Sequence, residues 1–232
     1  MRVIAYILAV VFSLCFIGGL FWGCLESVAF DRDYYMGEYA RLDREAATGM
    51  TREEFGQATQ ALFAYVRGER DDLDVTAQAG GVHRDVFSQR EKAHMEDVRR
   101  LYRLGSTVRY VLWALGAVCL IMLAFVCRRR MPRVLSTSYL TALVGAGAVS
   151  GLLAAAIAMD FGRFWDGFHR LLFTNDLWML DPSRDALIRM FPPDFFLKMA
   201  ETVLLRFGVI ITVFGIAAVA VLIATRRRKE AF

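Results

Sequence analysis

The chain has 232 residues, of which 56% are hydrophobic and 22% are charged, and its formal net charge is +4. It is too apolar for a typical soluble domain, yet it carries too many charged residues to consist of membrane spans alone. These numbers favour a membrane protein with substantial segments outside the bilayer.

Apolar runs predict the membrane spans, since about 20 apolar residues are needed to cross a bilayer. The runs that are long enough are Val3–Gly23, Tyr110–Cys127, Val134–Met159 and Phe207–Thr225. None of them contains Asp, Glu, Lys, Arg or His. Ion and proton pathways usually need such groups inside the membrane. The sequence therefore disfavours a channel, a pump or a coupled transporter.

Basic residues predict the orientation, because cytoplasmic loops carry an excess of Lys and Arg. One cluster, residues 128–133, separates the second and third spans, and another, residues 226–229, follows the fourth. Both clusters are expected in the cytoplasm, with both termini. The predicted segments are a first span (1–23), an extracellular cap (24–108), a second span (109–127), a cytoplasmic loop (128–133), a third span (134–159), an extracellular aromatic-rich segment (160–206), a fourth span (207–225) and a cytoplasmic tail (226–232).

The first span has some features of a cleaved signal peptide. However, bulky residues at positions 20–22 replace the small residues of a cleavage site, so we interpret the span as retained. Cys24 leaves a minor alternative, an acylation site of a lipoprotein. The other cysteines lie in or at the ends of spans, so neither an outer disulfide framework nor thiol chemistry is predicted.

The first outer segment contains two predicted amphipathic helices. Asp31–Asp43 forms one of them. Thr51 and Glu54 make a capping box that starts the other, in which apolar residues recur at helical spacing. The stretch Gly68–Val82 is predicted to be a loop, and His83 after it a solvated histidine.

A second capping box, Ser88 with Glu91, opens the next helix. This helix is expected to end at Gly105-Ser106, where the chain bends into the second span. His94 shares an apolar face of the helix, and Glu91 and Asp97 lie one turn before and after it, where either carboxylate can orient the ring. Spacing alone does not decide between a structural and a functional histidine.

The stretch Asp160–Phe196 is rich in Phe and Trp and contains the turn signals Asp181-Pro182 and Pro192-Pro193. Aromatic rings suit the boundary between membrane and water. An aromatic belt alone accounts for the rings, but it does not call for His169 or for Asn175-Asp176. We therefore favour a working site over a belt.

Two helices are predicted in this stretch. The third span is expected to continue as one helix through Asp160 to about Leu172, which places Trp165 one turn before His169. Asp181 is a good N-cap with a proline at the first helical position, and it is predicted to start a short helix that ends at Met190.

His94 and His169 are predicted on outer helices that a bundle of four spans brings together. Histidine is the side chain best suited to moving protons near neutral pH. No Gly-x-Ser-x-Gly motif or suitable outer cysteine supplies a nucleophile. A metal site with His83 as third ligand is an alternative, but the tight ligand spacing typical of such sites is absent, so no metal is predicted. The pair favours acid–base chemistry on a substrate that brings its own nucleophile.

The segments FSQREKAHMEDVRRLYR and FHRLLFTNDLWMLDPSRDALIRMFPPDFF resemble the bacterial membrane family of lipoprotein intramolecular transacylases. The resemblance covers the four-span layout and both outer segments, although the stretch between Phe30 and Gly81 does not match in detail. It implies an all-α membrane protein with four transmembrane helices and an extracellular helical cap. The implied location is the bacterial cytoplasmic membrane, with the active site at its outer face.

The resemblance also implies a reaction. Family members move the sn-2 acyl chain of a diacylglyceryl lipoprotein to the α-amino group of its N-terminal cysteine, which gives the lyso form. The implied partners are diacylglyceryl-modified lipoproteins and membrane lipid, without nucleic acid or nucleotide, and no cofactor is expected.

The resemblance assigns the catalytic histidines of the family to His94 and His169, in an aromatic-rich pocket. It leaves open which of them is the base and which the acid. The residues expected to bind substrate, some of them candidate oxyanion donors, are Arg90, Phe164, Trp165, Phe168, Arg170, Phe173, Asn175 and Trp178. The residues expected to orient the histidines are Glu91, Asp97 and Asp166.

Two other functions remain open at this point. One is a non-catalytic membrane scaffold or sensor whose cap binds a peptide or lipid. The other is a lipid hydrolase or intermolecular acyltransferase that uses the same histidine pair with water or another acceptor.

Overall fold

The structure is a computed structural model, which describes residues 2–79 and 82–230. Helices dominate it, so the predicted helical fold class is confirmed. The elements in chain order are α1 (Arg2–Ala29), α2 (Arg32–Arg41), α3 (Arg44–Thr48), α4 (Arg52–Arg67), β1 (Thr76–Ala79), β2 (Val82–Asp85), α5 (Gln89–Cys127), α6 (Met131–Met159), α7 (Phe161–Leu172), α8 (Ala186–Met190) and α9 (Pro193–Glu230).

Helices α1, α5, α6 and α9 are long and apolar enough to cross a membrane. The protein is therefore a membrane protein with four candidate spans in the described chain, as predicted. The apolar part of α5 begins only at Tyr110, so the turns that carry His94 precede the membrane-crossing part. Helix α9 likewise starts at Pro193, well before its apolar part.

The chain divides into two compact units, of which the first holds the residues up to Leu25, Thr107–Ala155 and the residues from Thr202 onward. Within this unit Phe16 is the centre of an aromatic cluster. Its ring centroid lies 6.0 Å from that of Trp113, 6.3 Å from Tyr139 and 5.0 Å from Phe214. The Tyr139 hydroxyl donates a 2.9 Å hydrogen bond to the carbonyl of Ile211. These contacts join all four long helices.

The second unit comprises Glu26–Ser106 and Ala156–Glu201. Its core is also aromatic. The Tyr35 ring lies 4.8 Å from Phe63, 4.8 Å from Phe195 and 5.4 Å from Phe191, so α2, α4 and the start of α9 pack together. Aromatic pairs in such edge-to-face geometry contribute about 0.5–1.5 kcal/mol beyond the area that they bury.

Both predicted capping boxes are present. The Thr51 hydroxyl accepts from the Glu54 amide at 3.3 Å, and the Glu54 carboxylate accepts from the Thr51 amide at 2.8 Å. Ser88 and Glu91 make the same reciprocal pair, at 3.3 Å and 2.7 Å. The starts of α4 and α5 are thus encoded locally.

Two predicted helix boundaries are wrong. The bend at Gly105-Ser106 does not occur, because α5 is continuous; a glycine inside a helix costs only about 1 kcal/mol, which the flanking turns offset. The third span does not continue through Asp160, which has φ −161° and ψ 93°. Its carboxylate accepts from the Arg163 amide at 3.0 Å, so Asp160 acts as the N-cap of a separate helix, α7.

The short helix α8 begins later than predicted. Asp181 does not cap it; its carboxylate instead accepts from the amide and the hydroxyl of Ser183, at 2.9 Å and 2.7 Å, which closes a turn. Asp185 occupies the N-cap position of α8, and its own carboxylate accepts from the Asp181 amide at 2.7 Å. The local Asx turn competes with helix formation at Pro182.

The loop predicted at Gly68–Val82 is also partly wrong, since Thr76–Ala79 pairs in antiparallel fashion with Val82–Asp85. Lys92 on α5 forms ion pairs with Asp74 at 2.6 Å and Asp85 at 3.5 Å, which hold this hairpin to the helix. The backbone of His83 lies in β2, but its side chain is outside the described residues. Its predicted solvation therefore stays a prediction.

Candidate active site

His94 lies near the start of α5, one turn after the Ser88–Glu91 capping box. Its side chain is buried, with 7% of the residue exposed, and its Nδ1 atom has no hydrogen-bond partner within the described chain. Burial lowers the pKa of His94 from 6.5 to about 4; the charge of His169 acts in the same direction and that of Asp97 in the opposite one. His94 is therefore a neutral imidazole at physiological pH.

His169 lies in the last turn of α7 and is 6% exposed. Its Nδ1 is 2.8 Å from the carbonyl oxygen of Trp165, one turn earlier. A carbonyl can only accept, so Nδ1 carries the hydrogen and donates it, which leaves the lone pair on Nε2. Burial lowers the pKa of His169, while the Trp165 hydrogen bond and the Asp166 charge oppose the shift. Helix geometry thus defines the tautomer.

The structure brings the two predicted histidines together. Their ring centroids are 6.4 Å apart, with an angle of 37° between the planes. The Phe173 ring contacts both, at 5.3 Å from His94 and 5.7 Å from His169. The two imidazoles therefore belong to one cluster of rings.

Aromatic side chains surround His169. The indole of Trp165 lies 4.3 Å from it, that of Trp178 stacks on it at 4.8 Å and 25°, and the Phe168 ring lies 5.4 Å away. Phe164 has its closest aromatic contacts elsewhere in α7, including Phe168 at 6.4 Å. The predicted aromatic residues other than Phe164 therefore form a wall around the imidazole.

Polar contacts attach the residues Asn175–Leu180, here called the Trp178 segment, to α5. The Arg90 guanidinium donates to the carbonyls of Asp176 and Met179, the second at 3.3 Å. The Asn175 amide donates to the Asp97 carboxylate at 2.8 Å. These contacts position the segment that holds Trp178 against His169, and the predicted substrate contacts of Arg90 and Asn175 stay predictions.

Two of the carboxylates expected to orient the histidines, Glu91 and Asp97, bind other groups. Glu91 is only 1% exposed. Its carboxylate accepts hydrogen bonds from the backbone amides of Leu187 at 2.5 Å and Ser88 at 2.7 Å, and so anchors α8 to α5. Asp97 binds Asn175, and it influences His94 through its charge. Asp166 and Arg170, on α7, are exposed.

Sequence reasoning missed two participants. The orienting group of His169 is the backbone carbonyl of Trp165, which no residue pattern distinguishes. Asp185 is a carboxylate that is only 2% exposed, and it accepts from Asp181 and lies 3.5 Å from the Ser88 hydroxyl. A buried acid next to a capping box has no signal in sequence, because its partners lie far away along the chain.

The described residues contain no cluster of three or more His, Cys, Asp or Glu side chains suited to a metal ion. The chemistry that the site itself offers is proton transfer. Two buried imidazoles with lowered pKa values lie among aromatic rings, where a low dielectric strengthens hydrogen bonds to a developing charge.

Comparison with known proteins shows which proteins this chain resembles. A family model described as "Lipoprotein intramolecular transacylase Lit" matches residues 7–196. The in meso structure of the membrane integral lipoprotein intramolecular transacylase Lit from Bacillus cereus superposes with a TM-score of 0.79 at 21% identity, covering 98% of this chain and 100% of that one.

Two further structures are of the same Bacillus cereus protein with one histidine replaced. The arginine variant matches with a TM-score of 0.73, covering 97% of this chain and 94% of that one. The alanine variant matches with a TM-score of 0.71, covering 98% and 96%, and both are 21% identical. No curated protein sequence matches the chain. At this identity the structural likeness shows a shared fold.

Proposed function

The chain belongs to the lipoprotein intramolecular transacylase family, and we propose that it moves the sn-2 acyl chain of a diacylglyceryl lipoprotein to the α-amino group of its N-terminal cysteine. The observation that carries this proposal is the pair His94 and His169, 6.4 Å apart in an aromatic pocket. The product is a lipoprotein with an N-acyl chain and a monoacylglyceryl group.

The reaction makes specific demands on the site. An α-amino group has a pKa of about 8, so at neutral pH it is mostly protonated and a base must release its lone pair. Attack on the ester carbonyl then closes an eight-membered ring through the cysteine and the glyceryl group. Such rings close poorly without help, and a confining pocket contributes by holding the reacting atoms in position.

We assign the base to His169. Its Nδ1–H is held by the Trp165 carbonyl, so its Nε2 lone pair is available to accept the ammonium proton. That hydrogen bond and the Asp166 charge both favour the imidazolium that forms. After the tetrahedral intermediate forms, the same imidazolium delivers the proton to the glyceryl oxygen as the C–O bond breaks. Nitrogen gains the acyl group and releases its remaining surplus proton to solvent, oxygen gains the proton that His169 carried, and the enzyme is unchanged.

We assign an electrophilic role to His94. Because its pKa is lowered to about 4, the ring stays neutral and keeps one N–H that can donate to the carbonyl oxygen of the ester. A neutral imidazole donor stabilises the developing oxyanion without competing for the proton that His169 carries. The burial of His94 makes that hydrogen bond stronger than it would be in water.

The aromatic wall favours transacylation over hydrolysis. Trp165, Phe168, Phe173 and Trp178 cover His169 with apolar surface, which limits the access of water to the ester. An ester is converted to an amide, which is downhill, so the proposed reaction requires neither a nucleotide nor a cofactor. Diacylglyceryl lipoproteins and membrane lipid are the proposed partners. The basic clusters support cytoplasmic termini and a site at the outer face.

Mass spectrometry of a reporter lipoprotein tests the proposal. The reporter is co-expressed with the wild type, His94→Ala or His169→Ala in a host that lacks other N-acylation of lipoproteins. We expect the N-acyl, monoacylglyceryl peptide with the wild type and with neither of these two variants. His83→Ala, which changes the third histidine of the chain, is the matched control and should retain activity.

The other outcomes identify the alternatives. Free fatty acid with a deacylated reporter indicates a hydrolase that uses the same pair. An unchanged diacylglyceryl peptide in every strain, with the protein present in the membrane, indicates a scaffold or sensor.

A further inference from the structure

Helix α7 has two chemically distinct faces. Apolar side chains recur at spacings of three, four and seven residues, which places them along one side of the helix. These side chains are Phe161, Phe164, Phe168, Leu171 and Leu172. The rings form a row, with centroids 6.2 Å apart between Phe161 and Phe164 and 6.4 Å apart between Phe164 and Phe168. Arg163, Asp166, Gly167 and Arg170 occupy the opposite side.

The described second unit leaves the C-terminal part of the apolar face open, whereas Phe161 and Phe164 at the other end are half-buried. Leu171 is 82% exposed and Phe168 is 42% exposed, whereas Phe191 and Phe195 in the core of the same unit are 5% and 1% exposed. The sequence therefore supplies large apolar side chains that the fold leaves exposed at Phe168, Leu171 and Leu172. A contiguous exposed apolar patch of this kind is typical of an interaction surface.

The connection to α6 indicates the partner. Helix α6 is long and apolar enough to cross the bilayer and ends at Met159, and Asp160 alone separates it from α7. The chain therefore enters α7 at the point where it leaves the hydrocarbon. The polar face carries Arg170 and Arg163, whose side chain is 90% exposed while its Nε pairs with Asp160 at 3.2 Å. Two exposed guanidinium groups complement the phosphates of lipid headgroups.

We propose that α7 lies in the surface of the bilayer, with its apolar face among the acyl chains of the leaflet. A helix with aromatic and leucine side chains on one face and arginine on the other binds in this way, with the apolar face about 5–10 Å below the headgroup boundary. The partner is the phospholipid bilayer itself.

This placement has a consequence for the reaction, and that consequence rests on the proposed transacylase function. His169 lies on the flank of α7 between the two faces, where its ring contacts Trp165 and Phe168. A helix at the boundary of headgroups and acyl chains places that flank at the depth of the glyceryl esters. Helix α7 thus positions the base at the level of the sn-2 ester, and the acyl chain reaches it along the apolar face.

Collision accessibility of spin labels tests the placement without requiring activity. The full-length protein, with its four cysteines replaced by alanine, carries one label at Leu171→Cys or at Gly167→Cys. Gly167 is the matched control on the polar face, and a side chain added there meets no atom within 4 Å. Each nanodisc contains one protein and no lipoprotein, so neither a second copy nor a substrate chain can cover the helix.

We expect the Leu171→Cys label to be several-fold more accessible to oxygen than to a water-soluble nickel complex, and the Gly167→Cys label to show the reverse. Equal access of the nickel complex to both labels would overturn the proposal, because the apolar face would then lie in water. Protection of both labels would also overturn it, since the helix would be buried on all sides. The reporter experiment on the histidine variants is unaffected by either result.

Discussion

The side-chain amide of Asn175 donates a 2.8 Å hydrogen bond to Asp97, a residue 78 positions earlier in the chain. Asp97 lies one turn after His94 on α5, and Arg90, one turn before it, binds two carbonyls of the same Trp178 segment. The two residues of α5 that bind the Trp178 segment therefore lie on either side of His94 along the helix. The same segment places the indole of Trp178 against His169. The pocket depends on these contacts as much as on the rings themselves.

We predict that Asn175→Asp lowers activity at least tenfold. Two carboxylates then face each other where an amide and a carboxylate formed a hydrogen bond, and like charges at that distance repel. The Trp178 segment should detach from α5, and iodide should quench the intrinsic fluorescence more strongly. The assay is conversion of the reporter lipoprotein at matched protein levels.

The exchanged pair is the control for this prediction. In the double variant Asp97→Asn with Asn175→Asp the amide and the carboxylate trade places, so the hydrogen bond can form again. Recovery of most of the activity is expected. A double variant as inactive as the single one would show that the two side chains act separately.

We predict that stability falls at mildly acidic pH because of His94. The pKa of this histidine is lowered from 6.5 to about 4 in the folded protein, so between these values the unfolded chain binds a proton that the folded protein does not. The free energy of unfolding therefore rises with pH across this window. The contribution of His94 to stability is lost as the pH falls through the same window. Thermal unfolding in detergent between pH 4 and 7 measures the effect.

His94→Gln is the comparison, since glutamine does not titrate. This variant should show a smaller loss of melting temperature from pH 7 to pH 4 than the wild type. Identical pH profiles of the two proteins would contradict the assignment of the low pKa to His94.

We predict that Glu91→Gln destabilises the fold by about 1–3 kcal/mol, the usual cost of leaving a buried polar group unsatisfied. The carboxylate accepts from the Leu187 and Ser88 amides at 2.5 Å and 2.7 Å, and the NH₂ group of glutamine cannot accept. Glu96→Gln, at an exposed position of the same helix, should change stability by less than about 0.5 kcal/mol. Equal melting temperatures for both variants would show that the Glu91 contacts are replaceable by water.

We predict that Trp165→Ala and Phe168→Ala reduce transacylation more than they reduce the yield of folded protein. Both residues line the pocket and neither is fully buried, so their removal enlarges the space around His169 without opening the aromatic core. The measurement is turnover of the reporter per folded molecule, judged by size-exclusion chromatography. Wild-type turnover in well-folded samples of both variants would show that these aromatic side chains do not contribute to the reaction.

Local signals predicted a large part of this protein. The apolar runs identified the helices that cross the membrane, and the Ser88–Glu91 pair identified the start of α5, because spans and caps depend on residues within a few positions of one another. His94 and His169 were recognisable because histidine is rare in this chain and both lie in predicted helices outside the spans. Hydrogen bonds between an aspartate side chain and nearby backbone amides also explain the errors at Asp160 and Asp181. The first aspartate caps a helix and the second closes a turn, where a helix interior and a helix cap were predicted.

Tertiary structure decided what these residues do. The sequence by itself determined the four apolar helices, the capped helix starts and the presence of two histidines outside the spans. Only the folded chain set the 6.4 Å separation of their rings and directed Arg90 to backbone carbonyls and Glu91 to Leu187. The physical reason is range: a helix or a cap arises from neighbours along the chain, whereas a pKa or a hydrogen bond across the pocket depends on side chains that folding alone brings together.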